Sequence, residues 1–394
     1  MAVKRIETVK KIAPPLLPEP FLQMLKDRSL TPEDVCIFDI ETTGLSPKNA
    51  QIYLIGVAHL AGDSLKITQY FAERAAEEAD VLRGFAKELA ACKLLLHFYG
   101  DRFDLPFVKA RCEAHALDVL PDITPMNKAQ DNAILSCDVQ KLLTPLKQFY
   151  GLGNCRLKTL ERLMGIPRTD MMSGGELISV YKDYCVQPTA EAEKLLLLHN
   201  EDDLHGTFRI LSALQPLAYL EQLRDARSEN APFTVEATRL ETYTDYDGNT
   251  QNECYLTLTP AVTLPQFTTR RNGVVLHCDG KTMVLRIPVK CGELKHFFAN
   301  YQDYYYLPYE DMAVHTSVGS FVDRTYRKKA TAETAFVKRD GMFLFAPKDI
   351  GLPLFREAYR DKDSYIENSE DLKSSESHLT SYALSLLHYL AGFS

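Results

Sequence analysis

Tight-turn signals are distributed unevenly along this 394-residue chain, and the asymmetry limits the folds open to it. Asp-Gly and Asn-Gly pairs favour the two-residue turns of β-hairpins, and none occurs before residue 230. The four that follow are Asp247-Gly248, Asn272-Gly273, Asp279-Gly280 and Asp340-Gly341. The third pair separates apolar runs at residues 274–278 and 282–289, which predict a hairpin. We therefore predict a β-rich (α+β) domain over residues 230–394, ending in an amphipathic helix at residues 382–390.

The chain before residue 230 has a different pattern, in which strands come first and then alternate with amphipathic helices. Short apolar or alternating runs predict strands at residues 35–40, 52–59, 65–71 and 94–98. Apolar residues at helical spacing predict helices at residues 77–91, 105–115, 140–150, 157–164, 174–184 and 190–214. This order is typical of an α/β domain with a mixed sheet covered on both faces. We place that domain at residues 31–228, after an extended lead-in at residues 1–30.

Charge is also distributed unevenly. The formal net charge of −8 argues against an attraction of the whole protein to nucleic acid. Residues 268–360 nevertheless contain 15 Lys or Arg and 10 Asp or Glu, a local charge of +5 that leaves −13 for the rest. An acidic part beside a mildly basic one suits a metal site joined to a phosphate-binding surface, and a random scatter of surface charge is the alternative.

Cysteine usage and the N-terminal sequence bear on the cellular compartment. The nine cysteines are an odd number without a Cys-x-x-Cys pair, which gives neither a disulfide framework nor a zinc site. The lead-in is proline-rich, and the sequence has no apolar run of the roughly 20 residues that a membrane span needs. With 45% apolar and 25% charged residues the composition is that of a soluble globular protein, and we predict a cytoplasmic location.

Two acids end the first predicted strand, in the segment Phe38-Asp39-Ile40-Glu41. Because side chains alternate along a strand, Asp39 and Glu41 face the same side of the sheet. A divalent cation relieves their mutual repulsion and their loss of hydration, and oxygen ligands of this kind suit Mg²⁺ or Mn²⁺. The alternative is a pair of solvated acids at a strand edge.

Two further acidic positions follow. Asp104 lies between the strand at residues 94–98 and a helix, where the N-cap of that helix is the alternative to a metal ligand. In the last predicted helix, His199 and Asp203 are four residues apart and share one face. Apolar periodicity continues beyond them to Leu214, so the helix does not end in solvent here. This continuity favours side chains that are directed into a site.

Together these three segments resemble the DEDD superfamily of 3′–5′ exonucleases, which have a ribonuclease H-like fold. The similarity spans residues 35–214 and is closest to the bacterial stand-alone ribonuclease H-like domain proteins, whose late motif reads Tyr-Asn-x-x-Asp. It implies a five-stranded mixed sheet with one antiparallel strand, flanked by helices, and two divalent metal ions, Mg²⁺ or Mn²⁺. The metal ligands that the resemblance implies are Asp39, Glu41, Asp104 and Asp203.

The resemblance also implies contacts with the substrate. Thr42 and Leu45 would touch the 3′-terminal nucleotide, with Leu45 as an apolar wedge between bases. Tyr99 and Phe103, which precede Asp104, are further candidate substrate-binding residues, and relatives tend to carry Asn where Tyr99 stands.

His199 departs from the family pattern. It stands where the closest relatives have Tyr, four residues before the last Asp, whereas another subclass has His five residues before it. An imidazole can orient or deprotonate water near neutral pH, so we include His199 with the four acids among the catalytic residues. A histidine that caps its own helix is the alternative.

The expected function is metal-dependent 3′–5′ hydrolysis of DNA or RNA ends, with nucleic acid as the partner and no membrane. Two cations would clamp the scissile phosphate, and nucleoside 5′-monophosphates would be released. Two alternatives stay open at this point. One is a structure-specific endonuclease that uses the same residues, and the other is a nucleic-acid-binding pseudoenzyme that has lost turnover.

The second domain contains aromatic residues ahead of a basic segment. The tyrosines are Tyr301, Tyr304, Tyr305, Tyr306 and Tyr309. The cations that follow, which we interpret as a candidate nucleic-acid surface, are Arg324, Arg327, Lys328 and Lys329. Aromatic rings stack on bases and cations pair with phosphates on platforms for single strands. Tyrosines are also common in strands with one hydrated face, which is the alternative.

Overall fold

The computed structural model describes residues 3–12, 17–128, 133–170, 172–244 and 246–393. The chain forms two compact units. The N-terminal unit comprises Met1–Lys147 and Leu152–Ala218, and the C-terminal unit comprises Gln148–Gly151 and Tyr219–Ser394. Within the described residues, no helix combines the length and the apolar character that crossing a bilayer requires.

The central sheet of the N-terminal unit has seven strands. They are β1 (Lys4–Lys11), β2 (Val35–Thr42), β3 (Ile52–Ala61), β4 (Ser64–Phe71), β5 (Leu94–His97), β6 (Ile123–Pro125) and β7 (Ile134–Asp138). They lie in the order β1-β4-β3-β2-β5-β7-β6. The inner five, β4-β3-β2-β5-β7, form the expected mixed sheet, in which β3 alone runs antiparallel to the other four. The sheet is wider than the expected five strands because β1 joins one edge and β6 the other.

Helices flank this sheet. They are α1 (Glu19–Lys26), α2 (Glu78–Leu89), α3 (Asp104–Ala114), α4 (Val139–Leu143), α6 (Leu157–Leu163), α7 (Gly174–Val186) and α8 (Ala190–Arg209). Two more helices, α5 (Leu146–Phe149) and α9 (Leu214–Asp225), each include residues of both units. The predicted helix at residues 140–150 is two short helices, α4 and α5. The predicted helix at residues 190–214 is α8 followed by a 3₁₀ turn at Ile210–Ala213. Mixed sheet and flanking helices together confirm the predicted ribonuclease H-like fold class.

Where the sequence predicts an extended lead-in at residues 1–30, the described residues form an edge strand and a helix. Strand β1 pairs with β4 along its whole length, from Lys4 opposite Phe71 onward. Its alternating exposure fits an edge strand with one hydrated face. Helix α1 buries Phe21 and Leu25. Residues 13–16 of this stretch lie outside the described residues.

Strand β2 is the central strand that carries the Asp39-Ile40-Glu41 segment. It is buried along nearly its full length between β3 and β5. Phe38 stacks on Phe85 of α2, with ring centroids 5.0 Å apart, inside the core that also includes Phe107 of α3. A strand held on both edges and packed on one face fixes the position of its acidic side chains.

The C-terminal unit is β-rich, as predicted. Its strands are β8 (Phe233–Thr244), β9 (Thr250–Pro260), β10 (Phe267–Arg271), β11 (Val274–Cys278), β12 (Met283–Phe297), β13 (Tyr304–Leu307), β14 (Met312–His315), β15 (Lys328–Lys329), β16 (Phe336–Phe345), β17 (Leu354–Phe355) and β18 (Tyr365–Glu367). Its helices are α10 (Thr316–Gly319), α11 (Glu370–Lys373) and α12 (Glu376–Ala391). Eight strands form one antiparallel sheet, and β14-β13-β15 form a smaller one. The predicted hairpin is β11 and β12, with Gly280 at a φ of 110° in the turn.

The units divide after Ala218, ahead of the predicted domain boundary at residues 228–230. Residues that follow this point already pack inside the C-terminal unit. The carbonyl of Leu223 accepts a hydrogen bond of 2.6 Å from His388 on α12, and the Tyr219 hydroxyl lies 4.0 Å from the sulfur of Met283.

Candidate active site

Asp39 and Glu41 lie on one face of β2, as the strand periodicity predicts. Asp39 pairs across the sheet with Gly56, and Glu41 pairs with Leu54. Glu41 is buried and Asp39 is partly buried. The two acids therefore do not form a solvated pair at a strand edge, which was the alternative reading.

Asp104 is brought to the same strand by the start of α3. Its Oδ1 accepts a hydrogen bond of 3.3 Å from the backbone N–H of Ile40, the residue between the two β2 acids. The N-cap position of α3 belongs to Phe103, whose side chain makes no capping bond, so Asp104 is not the cap of this helix. Its carboxylate is buried and is directed to the strand.

Asn200 on α8 fixes the orientation of Asp39. Its fully buried amide donates to the carbonyl of Asp39 at 3.2 Å and to Asp39 Oδ2 at 2.9 Å. Its oxygen accepts from Gln69 Nε2 at 2.9 Å. The helix approaches this closely because the residue opposite Asp39 is Gly56. A Cβ at that position would lie 2.0 Å from Asn200 Oδ1.

His199 and Asp203 lie on the face of α8 that is turned toward Glu41, as their four-residue spacing predicts. His199 Nε2 is 3.7 Å from Glu41 Oε1 and 3.8 Å from Asp203 Oδ2. His199 is buried, and α8 continues to Arg209. The imidazole is therefore inside a side-chain cluster and does not cap the end of its helix.

Residues between α6 and α7 complete the surroundings of the site and were not identified from the sequence. Arg168 donates a hydrogen bond to Asp203 and lies 3.4 Å from Asp170 Oδ2 and 3.5 Å from Glu161 Oε2. Asp170 Oδ2 is 2.6 Å from His199 Nδ1. These residues belong to no recognisable spacing, and a proline at 167 followed by Arg-Thr-Asp is the ordinary composition of a loop.

The acids of the site disfavour one another's ionised forms. Burial, with the nearby carboxylates of Asp203, Glu41 and Asp104, raises the pKa of Asp39 well above its ordinary value. Burial also raises the pKa of Glu41 well above its usual range and that of Asp104 to about 7. Clustered buried carboxylates of this kind bind protons or cations near neutral pH.

The donor set suits hard divalent cations. Glu41, His199 and Asp203 each offer one ligand atom within 4.8 Å of the other two. Asp39 and Asp104 stand outside this tight group but lie close enough that their charges interact with those of Glu41 and Asp203. Carboxylate oxygens are the ligands that Mg²⁺ and Mn²⁺ prefer, and the imidazole of His199 lies beside them. This arrangement is a candidate metal-binding cluster.

The predicted substrate-binding residues differ in their exposure. Leu45, in the loop after β2, is 84% exposed, whereas Thr42 is buried and its hydroxyl donates to the carbonyl of Gly44 at 2.8 Å. Tyr99 has a φ of 68° and an exposed ring. Phe103 packs against the core of the unit, with its ring 5.4 Å from that of Phe107. Leu45 and Tyr99 are thus the two that present exposed side chains.

Asp138, at the end of β7, holds the turn that precedes Asp104. Its Oδ1 accepts from the backbone N–H of Tyr99 at 3.0 Å and from Gln140 and Lys141 at the start of α4. Asp138 is buried and is one of the charges that raise the pKa of Asp104. It supports the geometry of the Asp104 turn.

The basic segment of the C-terminal unit is only partly available for binding. Arg324, Lys328 and Lys329 are exposed. Arg327 instead lies over the ring of Tyr305, 4.5 Å from its centroid, and donates to the carbonyl of Gly319.

Some tyrosines of the C-terminal unit are likewise engaged in contacts, and others are exposed. Tyr304 stacks on Phe298, with ring centroids 4.2 Å apart, and the Tyr306 hydroxyl donates to Asp311. Tyr309 is 80% exposed, and its ring lies 5.8 Å from that of Tyr326, which is also exposed.

Comparisons with known proteins agree with the fold of the N-terminal unit. The model of the RNase H superfamily matches residues 36–215, a little under half of the chain, and this segment contains all five candidate catalytic residues. No curated protein matches the sequence.

Similar solved structures are distant. The family B DNA polymerase from the hyperthermophilic archaeon Pyrobaculum calidifontis is 14% identical with a TM-score of 0.38, over 70% of this chain and 35% of that one. E. coli Exonuclease I in complex with a dT13 oligonucleotide is 12% identical with a TM-score of 0.30, over 57% of this chain and 55% of that one. The chain thus spans about a third and about half of the lengths of these proteins.

Proposed function

We propose that this protein is a divalent-cation-dependent 3′–5′ exonuclease of the DEDD type, which removes nucleotides from single-stranded DNA or RNA ends. The observation that carries the proposal is the convergence of Asp39, Glu41, Asp104 and Asp203 with the imidazole of His199. These residues come from three separate segments, and their burial is unfavourable unless positive charge is bound.

Asp39, Glu41, Asp104 and Asp203 would hold two divalent cations, Mg²⁺ or Mn²⁺. When bound, the cations supply the positive charge that neutralises these acids and attracts the scissile phosphate. Asn200 keeps the Asp39 carboxylate in place through its 2.9 Å hydrogen bond.

His199 would take the proton of the attacking water at Nε2, the nitrogen that faces Glu41 and Asp203. The water oxygen forms a bond to phosphorus, and the bond from phosphorus to the 3′ oxygen of the preceding nucleotide breaks. The 3′ oxygen takes a proton from solvent and leaves as a hydroxyl, and the terminal nucleotide is released as a 5′-monophosphate.

Leu45 would position the end of the strand. Its exposed side chain stands just beyond the acidic end of β2, where an apolar group can insert between the last two bases. Thr42, whose hydroxyl is bonded to Gly44, would shape this loop. A single-stranded end can reach such a wedge without the cost of opening a duplex.

The exposed residues Tyr309, Tyr326, Arg324, Lys328 and Lys329 of the C-terminal unit would provide a second contact with nucleic acid. Stacking on tyrosines and pairing of cations with phosphates bind single strands without sequence preference. This contact would supply affinity that an acidic active site lacks, and it would weaken as salt increases.

The test is a panel of end-labelled substrates: single-stranded DNA, single-stranded RNA, a duplex, a duplex with a 3′ overhang and a circular single strand. Each is incubated with Mg²⁺, Mn²⁺ or EDTA, and products are identified as mono- or oligonucleotides. We expect metal-dependent mononucleotides from single-stranded 3′ ends, and loss of activity in Asp39→Ala. Glu113→Ala, which removes an exposed acid from α3, is the matched control and should remain active.

The other outcomes separate the alternatives. Cleavage of the circular strand would identify an endonuclease. Binding of the oligonucleotide without any product in Mg²⁺ or Mn²⁺ would identify a pseudoenzyme. Activity that persists in Asp39→Ala would exclude the proposed site.

A further inference from the structure

We infer that Asp170 is a positioning residue for His199, an inference that rests on the proposed function. Asp170 lies between α6 and α7, and its Oδ2 is 2.6 Å from His199 Nδ1. Both side chains are buried, so the contact is shielded from competing water.

The hydrogen bond determines which imidazole nitrogen carries the proton. An ionised carboxylate can only accept hydrogen bonds, so Nδ1 must be the donor when it faces Asp170. In neutral His199 the lone pair is then at Nε2, the nitrogen that faces Glu41 and Asp203 at 3.7 and 3.8 Å. Asp170 thus directs the basic nitrogen toward the metal-binding acids, where the attacking water would be.

Neighbouring groups favour the ionised form of Asp170. The backbone N–H of Met172 donates to its Oδ1 at 3.0 Å. Lys158 Nζ and Arg168 Nη2 lie 3.5 and 3.4 Å from Oδ2. Positive charge and N–H donors around a buried carboxylate stabilise its negative charge.

The position of Asp170 is tied to the helix that carries the histidine. Asp202, three residues after His199 on α8, is buried, and its Oδ2 accepts from the backbone N–H groups of Thr169 at 2.9 Å and Asp170 at 2.7 Å. One helix therefore presents the imidazole and also anchors the segment that orients it. A displacement of this segment relative to α8 would break both contacts together.

The first experiment is a double-mutant cycle with Asp170→Ala and His199→Ala. For metal-saturated enzyme we expect Asp170→Ala to lower kcat by about 10- to 100-fold, the range found for residues that orient a ligand or base, with KM little changed. In the His199→Ala background the same change should have no further effect, since the base that Asp170 orients is absent. An equal loss in both backgrounds would overturn the inference.

A conservative variant separates orientation from folding. Asp170→Asn keeps the size of the side chain, but its amide N–H can donate to Nδ1 and favour the Nε2–H tautomer, so its kcat should be as low as that of Asp170→Ala. Glu191→Ala, which removes an exposed acid from α8, is the matched control and should keep the wild-type kcat. A wild-type kcat for Asp170→Asn would contradict an orienting role of the carboxylate.

The second experiment needs no nuclease activity. Long-range ¹H–¹⁵N spectra of histidine in the metal-free protein report the tautomer, and the His199 signals are those missing in His199→Ala. We expect the Nδ1–H form in wild type and its loss in Asp170→Ala, whereas an unchanged Nδ1–H form would overturn the inference. If wild type degrades none of the substrates, the proposed function fails, and these spectra still decide whether Asp170 orients His199.

Discussion

Asp104→Asn is the substitution whose effect follows most directly from the electrostatics of the site. Asp104 is buried at the start of α3, and its pKa is about 7, raised mainly by burial and further by Asp138 and Asp203. Asparagine has almost the same shape, and its oxygen can accept the hydrogen bond that Ile40 donates. The substitution therefore removes the charge and leaves the packing nearly unchanged.

The sign and size of the effect follow from proton linkage. An unfolded aspartate has a pKa of about 3.9, so between pH 4 and 7 the folded protein keeps a proton that the unfolded chain has lost. The contribution of Asp104 to the free energy of unfolding of the metal-free protein therefore falls as pH rises through this window, by about 1.4 kcal/mol per pH unit. Over about three units Asp104 contributes a loss of about 4 kcal/mol, complete above pH 7. Asp39 and Glu41, whose pKa values are also raised, act in the same direction.

Urea unfolding in EDTA, followed by far-ultraviolet circular dichroism from pH 4.5 to 8.5, measures this effect in a chain without tryptophan. We expect Asp104→Asn to match wild type near pH 4.5 and to exceed it by up to about 4 kcal/mol at pH 8. Peptide-level hydrogen exchange over β2 and α8 locates the change in the N-terminal unit. Glu113→Gln, at an exposed position of the same helix, should follow the wild-type curve.

Bound metal should reduce the difference in stability between the two proteins. At pH 8, Mg²⁺ or Mn²⁺ should stabilise wild type and have little effect on Asp104→Asn, because one of the cation's oxygen ligands has lost its charge. The reasoning would be refuted if Asp104→Asn were less stable than wild type at pH 8 without metal, or if both proteins showed the same dependence on pH.

Three further substitutions test the geometry of the site. Asn200→Ala removes the donor to Asp39 and should lower the free energy of unfolding in urea by about 1–3 kcal/mol, because buried partners lose hydrogen bonds. It should also abolish 3′-end degradation, and wild-type turnover would contradict the role of Asn200 in holding Asp39. Gly56→Ala places a Cβ 2.0 Å from the oxygen of Asn200 and should cost about 1–3 kcal/mol through overpacking, whereas Gly175→Ala, with open space around it, should cost nothing. Leu45→Ala should leave the midpoint of thermal unfolding unchanged and weaken turnover of single-stranded ends, and unaltered kinetics would exclude the wedge.

The parts of the site that the sequence could predict depend on local periodicity. Asp39 and Glu41 share a face because they are two apart on a strand, and His199 and Asp203 share a face because they are four apart on a helix. Such relations hold wherever the element forms. The apolar run before Asp39 is sufficient to predict strand β2.

Arg168 and Asp170 could not be predicted in this way. Each contacts α8 across about thirty positions of sequence, and each lies in a loop whose path is set by backbone hydrogen bonds to Asp202. Periodicity carries no information about such a path. The edge strand β1 was not predicted for a related reason. Its side chains alternate between partly exposed and exposed positions, so its sequence has no strong apolar alternation, and the strand forms by pairing with β4.

The same contacts explain how a fold can keep a cluster of acids that repel one another. Asn200 restrains Asp39 by a hydrogen bond, Arg168 neutralises Asp203, and protons partly neutralise Asp104 near pH 7. Each of these acts on a different member of the cluster, so the repulsion is reduced but not removed. A cation at 100 times its dissociation constant adds about 2.7 kcal/mol to the stability of the folded state, comparable with the cost of the Asp104 charge. Variants of these acids that gain stability at alkaline pH in the absence of metal should therefore lose metal affinity, because the same unrelieved charge destabilises the metal-free fold and binds the cation.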